Sequence, residues 1–179
     1  MTDLTTTADS PVLDPLIDPV LDMDRLAEIA DLDPFAADTG PLLDEFARRA
    51  AERCGVRVGL VTIVLDGAQV LAGRHGLTGW LAAAPGTPVE WSFCATTVRT
   101  GRPYVVPDAT VDATQQDNPL VTEDGVVAYA GAPLVTSRGH VLGACCVVGD
   151  EPRRFSAAEL EDLRVMATEV VAVLEQRRR

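Results

Sequence analysis

The chain has 179 residues and a formal net charge of −12, with 47% hydrophobic, 23% charged and only 4% aromatic residues. That length sets one domain plus a tail, with a core built mainly from Val, Leu and Ala rather than from rings. An acidic surface of this kind repels phosphate backbones, so a nucleic-acid partner held on a basic face is excluded.

Residues 1 to 20 are rich in Thr, Asp and Pro and lack periodicity, which reads as a flexible acidic leader before a single domain over 21–179. Leu26, Ile29 and Ala30 predict a short helix from Asp22 to Leu32, capped by Asp22 or Asp24 and stopped before Pro34. A second helix is expected from Pro41 to Cys54, with Leu43, Phe46, Ala47, Ala50 and Cys54 on one stripe and Gly55 at its exit. Asp44 with Arg48, and Glu45 with Arg49, stand four apart on its outer face. Val56 to Leu65 is then apolar at odd and even positions alike, the mark of a strand covered on both faces. Asp66-Gly67 turns it into a hairpin partner at Gln69 to Ala72.

Gly73 to Pro88 is expected as a loop with room for one helical turn, in which Trp80-Leu81 is the bulky anchor and Trp80 suits either a lid or an anchor. Ser92 to Thr100 fits a short helix, Tyr104 to Val106 a strand, and Pro107 to Pro119 a long polar loop of the length that carries function. Val126 to Thr136 predicts one or two strands interrupted at Gly131-Ala132-Pro133, where Pro requires a bulge or an edge. A final strand runs from His140 to Val148. Ser156 and Glu159 form a capping box, Phe155 and Leu160 a hydrophobic staple, and Leu160, Leu163, Ala167, Val170 and Leu174 mark the last helix. Arg177-Arg178-Arg179 complements that helix's C-terminus. Terminal helices around hairpin-linked strands indicate an α+β fold with an antiparallel sheet.

The longest apolar stretch, near Val58 to Leu65, is far short of the roughly 20 residues that a membrane helix needs. The opening Met1-Thr2-Asp3 has neither the basic start nor the apolar core of a secretory signal. A cytoplasmic protein with no membrane partner is therefore expected, and Cys54, Cys94, Cys145 and Cys146 should be thiols. With no C-x-x-C, and neither His75 nor His140 at ligand spacing from a cysteine, no metal site is expected.

Five segments fall in a telling order: Ser92-Phe93-Cys94-Ala95; Gly101 to Ala109 around Arg102-Pro103-Tyr104; Asp117-Asn118-Pro119-Leu120-Val121; Tyr129-Ala130-Gly131-Ala132-Pro133-Leu134; and Gly143-Ala144-Cys145-Cys146-Val147-Val148. In order and spacing they resemble the GAF family of sensory domains over about half the chain. The sequence departs from that pattern at Thr114 and Gln115, where an Arg-Phe pair is usual, and at Gly149, which precedes Asp150. The resemblance implies an antiparallel sheet of about six strands, terminal helices on one face, and a pocket on the other under the Ser92 helix and the Pro107 to Pro119 loop. It also implies a homodimer through the terminal helices. Family members bind cyclic nucleotides, haem, bilins or small metabolites, so the ligand and any cofactor stay unassigned.

On that footing the ligand-binding residues are expected to be Trp91, Phe93, Cys94, Asp108, Asp117, Asn118, Tyr129, Gly131 and Cys146. Each has a plainer reading. Asp108, Asp117 and Asn118 also suit turn caps; Trp91, Phe93 and Tyr129 suit core; and the cysteines suit small buried hydrophobes. Strand alternation puts Cys146 with Leu142, Ala144 and Val148, and Cys145 with Val141 and Val147, on opposite faces. A bilin thioether is disfavoured because Ala95, not His, follows Cys94, and His75 and His140 read as surface imidazoles rather than haem ligands. One branch of the fold reduces free methionine sulfoxide with cysteines, and its pattern does not map onto these four. The expectation is thus a non-catalytic small-molecule sensor acting in trans on a downstream protein partner. Two competing readings are a thiol redox sensor using Cys94 and Cys146, and a ligand-free dimerisation or interaction module.

Overall fold

The computed structural model describes residues 17–178. The acidic leader placed at 1–20 lies for the most part outside these residues. Its last residues are folded: Pro19–Leu21 forms a 3-10 turn, Val20 is buried, and Asp18 pairs with Arg99.

Asp22 caps helix α1 (Met23–Leu32) by accepting from the Asp24 and Arg25 amides. Helix α2 (Gly40–Cys54) carries Pro in its first turn and exits through Gly55 in the left-handed conformation, where a side chain would be strained. Its outer charges pair differently from the expected fours. Arg48 binds Glu45 and Glu52, Arg49 reaches Glu169 on the last helix, and Asp44 accepts the Arg74 amide.

The strands β1 (Val58–Val64), β2 (Ala68–His75), β3 (Gly86–Pro88), β4 (Tyr104–Val106), β5 (Ala128–Val135) and β6 (Val141–Gly149) form one sheet in the order β3-β2-β1-β6-β5-β4. Every neighbouring pair is antiparallel. The stretch after Gly73, expected as a loop with room for one helical turn, completes β2, holds that turn as helix α3 (Gly79–Ala83) and adds strand β3. Helix α4 (Phe93–Thr100) follows, then the one-turn helix α5 (Pro119–Thr122) and the long closing helix α6 (Ala157–Gln176). Ser156 and Glu159 make the full capping box. Among the described residues no helix is long and apolar enough to cross a membrane.

The sheet divides two apolar layers. On one side α1, α2 and α6 cover Val61, Ile63, Ala130, Ala132, Cys145 and Val147. The α6 stripe of Leu163, Ala167, Val170 and Leu174 is fully used there, against this chain's own sheet. Helix α2 sits almost on the strands: a methyl at Gly59 would lie 1.9 Å from the Ala47 carbonyl oxygen, and one at Gly73 2.4 Å from that of Leu43. On the other side α4 packs over Val58, Leu60, Tyr129, Ala144 and Cys146.

Two expectations for the last strands need correction. β5 runs unbroken through Gly131-Ala132-Pro133, while the bulge expected at Pro133 falls just after it. There β6 carries an extra residue: Pro133 pairs with Ala144 but Val135 with Val141. This bulge exchanges the faces of the residues beyond it, so Leu142 joins the helix-covered layer and Val141 the α4 side, the reverse of strict alternation. Near the bulge the Arg25 guanidinium, 2% exposed, donates to the carbonyls of Pro19, Val20, Val64 and Val141.

Candidate functional site

The α4 side is built around a serine. The Ser92 hydroxyl caps α4 by accepting from the Ala95 amide and donates to Gln69 Oε1 at 2.5 Å, which fixes the start of the helix to β2. That anchor sets the first turn of α4, Phe93 and Cys94, onto β5 and β6. Cys94 Sγ lies 3.1 Å from Tyr129 Oη and 3.7 Å from Cys146 Sγ, all three side chains being buried. The Tyr129 ring tilts against Phe93 at 5.1 Å and Tyr104 at 5.8 Å between centroids.

Gly131 explains how the tyrosine fits. A Cβ there would lie 2.2 Å from Tyr129 Oη, so the close approach that this glycine permits is made by the protein's own hydroxyl. Burial pushes the Cys94 thiol up, but hydrogen bonds from Cys146, Thr62 and Tyr129 outweigh it, and the thiol is held below its ordinary value. Its place in the first turn of α4 acts in the same direction. The hydrogen bond to Cys94, together with burial, raises Cys146 well above the ordinary thiol value. Burial and the neighbouring sulfurs do the same to the Tyr129 phenol.

Above this floor is a cavity of about 300 Å³. Leu60, Leu71, Phe93, Tyr129, Cys146 and Val148 supply its inner wall, while Arg57, Glu123, Asp124 and Asp150 supply charge among its lining residues. Two flaps close it from the outside: the segment of Leu77 to Leu81 entering α3, and the stretch from α5 to β5 that carries Glu123 to Val126. A hydrogen bond joins the flaps, the Trp80 indole donating to Asp124 Oδ1 at 2.6 Å. Trp80 is otherwise half exposed. Apolar walls with a few convergent polar groups are the usual chemistry of a small-ligand site, at the lower end of the usual size range.

Of the residues expected to bind a ligand, the structure brings Phe93, Cys94, Tyr129 and Cys146 together at the cavity. It places the others elsewhere. Trp91 ends a 3-10 turn, and its carbonyl accepts from Asn118 Nδ2. Asn118 caps α5 through the Leu120 amide and also donates to Gln115 Oε1. Asp108 bonds the Thr110 amide and hydroxyl in a local turn, and Asp117 is exposed. Gly131 is occupied by Tyr129, as described.

The loop from Pro107 to Pro119 does not line the cavity. It folds on itself through Asp112, whose carboxylate accepts from the Thr114 and Gln115 amides, and through Gln115, which is buried and donates to Tyr104 Oη. Trp80 was weighed as a lid or an anchor, while Leu77, Leu120 and Val126 are scattered single residues with no period that would reveal a flap. The one usable signal was Trp80, the only Phe, Tyr or Trp between Gly73 and Pro88.

His140 is not a free surface imidazole. Its Nδ1 lies 2.5 Å from Glu28 Oε2, and Glu28, 1% exposed, also holds Thr136 and Arg178. Among the described residues no group of three or more His, Cys, Asp or Glu is placed to hold a metal.

A six-stranded antiparallel sheet with terminal helices on one face and a capped cavity on the other is matched by a family model for the GAF domain, which covers residues 38–174. The chain belongs to the GAF domain family. Solved structures agree in fold at low identity. The GAF domain of a phosphoenolpyruvate-protein phosphotransferase from Coxiella burnetii superposes with a TM-score of 0.64 at 18% identity, over 86% of this chain and 94% of that one. A free methionine-R-sulfoxide reductase from Neisseria meningitidis, solved with its substrate, gives 0.62 at 18% identity over 86% of both chains. In sequence, the cyclic di-GMP phosphodiesterase PA2567 of Pseudomonas aeruginosa is 42% identical over 80 residues, or 41% of this chain. The match spans only 14% of that enzyme.

Proposed function

We propose that this GAF domain is a non-catalytic sensor of a small molecule and that the ligand occupies the cavity between the sheet and the two flaps. The observation that carries the reading is the cavity itself, about 300 Å³ and apolar at its inner wall, with flaps held together by the Trp80 to Asp124 hydrogen bond. A guest that contacts both flaps favours their closed arrangement by its differential affinity, and that is how a binding event becomes a conformational one. The nine residues expected from the sequence reduce, on this reading, to Phe93, Cys94, Tyr129 and Cys146, joined by Leu60, Leu71, Trp80 and Asp124.

The output belongs to the same proposal. We place the domain in the cytoplasm, acting in trans on a downstream protein partner, as a homodimer through the outer faces of its helices. Support for the dimer comes from Leu42 on α2 and Val165 on α6, apolar side chains that are 42% and 41% exposed on two helices tied together by Arg49 and Glu169. The α6 stripe cannot supply that contact, because it is consumed by the sheet. A monomer in light scattering would remove the dimer and leave the sensor standing.

The test of the sensor is a thermal-stability screen with cyclic nucleotides, cyclic di-GMP, free methionine sulfoxide and small metabolites. A true ligand stabilises by mass action, about 2.7 kcal/mol at a hundredfold excess over its dissociation constant. The expected result is a saturable rise in melting temperature that Leu71→Trp, which fills the cavity, abolishes. No rise with any compound supports the interaction-module reading, and turnover of cyclic di-GMP or methionine sulfoxide overturns the non-catalytic one.

A further inference from the structure

We propose that Cys94 and Cys146 are an oxidation site, closing to a reversible disulfide when a small peroxide enters the cavity. The two sulfurs come from elements far apart in the chain, α4 and β6, yet lie 3.7 Å from each other and both line the cavity. A disulfide needs them at about 2.05 Å, a further approach of about 1.7 Å, to be made by rotation about the two Cα–Cβ bonds. Entry from the cavity gives a small oxidant access while the protein shields the thiols from larger ones; Cys94 is 2% exposed and Cys146 not at all. This inference goes beyond ligand sensing and does not depend on any organic ligand.

Cys94 is the attacking sulfur. It lies in the first turn of an eight-residue helix, where free amides favour a thiolate, and the Tyr129 hydroxyl is in hydrogen-bond reach. Its thiolate attacks one peroxide oxygen; the S–O bond forms as the O–O bond breaks. The departing oxygen takes up the proton that Cys94 gave up, leaving as water or alcohol. Cys146 then attacks the sulfenic sulfur, the S–S bond forms, the S–O bond breaks, and the hydroxyl leaves as water with the Cys146 proton. Two thiols lose two electrons and the peroxide gains them.

The other two cysteines make the selectivity readable. Cys54 and Cys145 belong to the opposite, helix-covered layer. Burial pushes Cys54 up to about 11 and Cys145 up to about 12, which leaves them as unreactive thiols.

The experiment treats the folded full chain with hydrogen peroxide, alkylates it after denaturation, and maps the thiols by mass spectrometry. The expected result is loss of two of the four alkylatable thiols, restored by dithiothreitol, with a crosslinked peptide pair joining Cys94 to the Cys145-Cys146 segment. Cys145→Ser keeps the crosslink. Cys146→Ser abolishes it and leaves Cys94 as a sulfenic acid captured by dimedone. Four alkylated thiols after peroxide, or a crosslink that contains Cys54 or survives in Cys146→Ser, overturns the proposal. Wild type alone decides the first of these, so a variant that fails to fold does not shelter the idea. A ligand-dependent melting shift stands or falls separately.

Discussion

On its helix-covered side the sheet is met by Leu43, Leu163, Met166 and Val170, and Gly59 and Gly73 let α2 rest on bare backbone. On the α4 side the same strands meet a hollow of about 300 Å³, two thiols and a phenol. Neighbours on β6 show the contrast at its sharpest: Cys145 is a small hydrophobe in a filled layer, while Cys146 faces a cavity one residue later. Close packing is what holds a marginally stable domain together, and a cavity gives up contacts that packing would have made. One layer is filled by three helices, and the other combines a packed core under α4 with a cavity.

If that division is right, equal truncations on the two faces have unequal costs. Leu163→Ala opens a void in the filled layer and is expected to destabilise by about 2–5 kcal/mol. Leu71→Ala enlarges a cavity that already exists, so only the transfer contribution is lost, about 1.5–3 kcal/mol. Urea unfolding at constant slope measures both; equal losses would break the comparison. Gly131→Ala tests the cavity floor from beneath. Its methyl displaces the Tyr129 hydroxyl, with an expected loss of about 1–3 kcal/mol and of peroxide-driven crosslinking through Cys94.

Glu28 seals the edge of the filled side. Burial pushes its carboxyl up, but hydrogen bonds from His140, Arg178 and Thr136 outweigh this and hold it below its ordinary value of 4.5. A carboxyl lowered by folding contributes fully above that ordinary value and loses its contribution as pH falls through the folded value. Glu28→Gln is therefore expected to cost about 1–3 kcal/mol near neutral pH and to flatten the acid limb of stability below 4.5. Melting curves across pH check it; an unchanged acid limb would remove Glu28 from the account. The smallest effect belongs to the flaps. Asp124→Ala breaks the contact with Trp80 and should cost no more than about 0.5–1.5 kcal/mol. In a Trp91→Phe background it should shift the remaining indole emission to longer wavelength and make it easier to quench.

The filled side was largely legible in the sequence, because helices announce themselves through period and caps. The α2 stripe, the Ser156 to Glu159 box and the alternation of Cys145 and Cys146 needed no coordinates. Leu142 was placed on the wrong face because a single inserted residue in β6 reverses every position beyond it, and a bulge leaves no periodic trace. The cavity was half legible. Cys94, Tyr129 and Cys146 lie on regular elements that follow from spacing, and the family resemblance supplied the pocket that joins them. Its outer wall comes from single side chains on short segments, and no local pattern joins Trp80 to Asp124. The Pro107 to Pro119 loop looked functional for its polar residues, yet Asp108, Asp112 and Asn118 spend those groups on their own backbone.

Arg25 joins four main-chain oxygens from three stretches that the chain visits at different times: the 3-10 turn before α1, the end of β1 and the start of β6. A guanidinium cannot shed its proton to escape burial, so it is tolerable there only once all three stretches are assembled around it. Docking of the first helix is thereby made conditional on a hairpin formed more than a hundred residues downstream. Helix α1, early in the described residues, is one of the last elements that can settle.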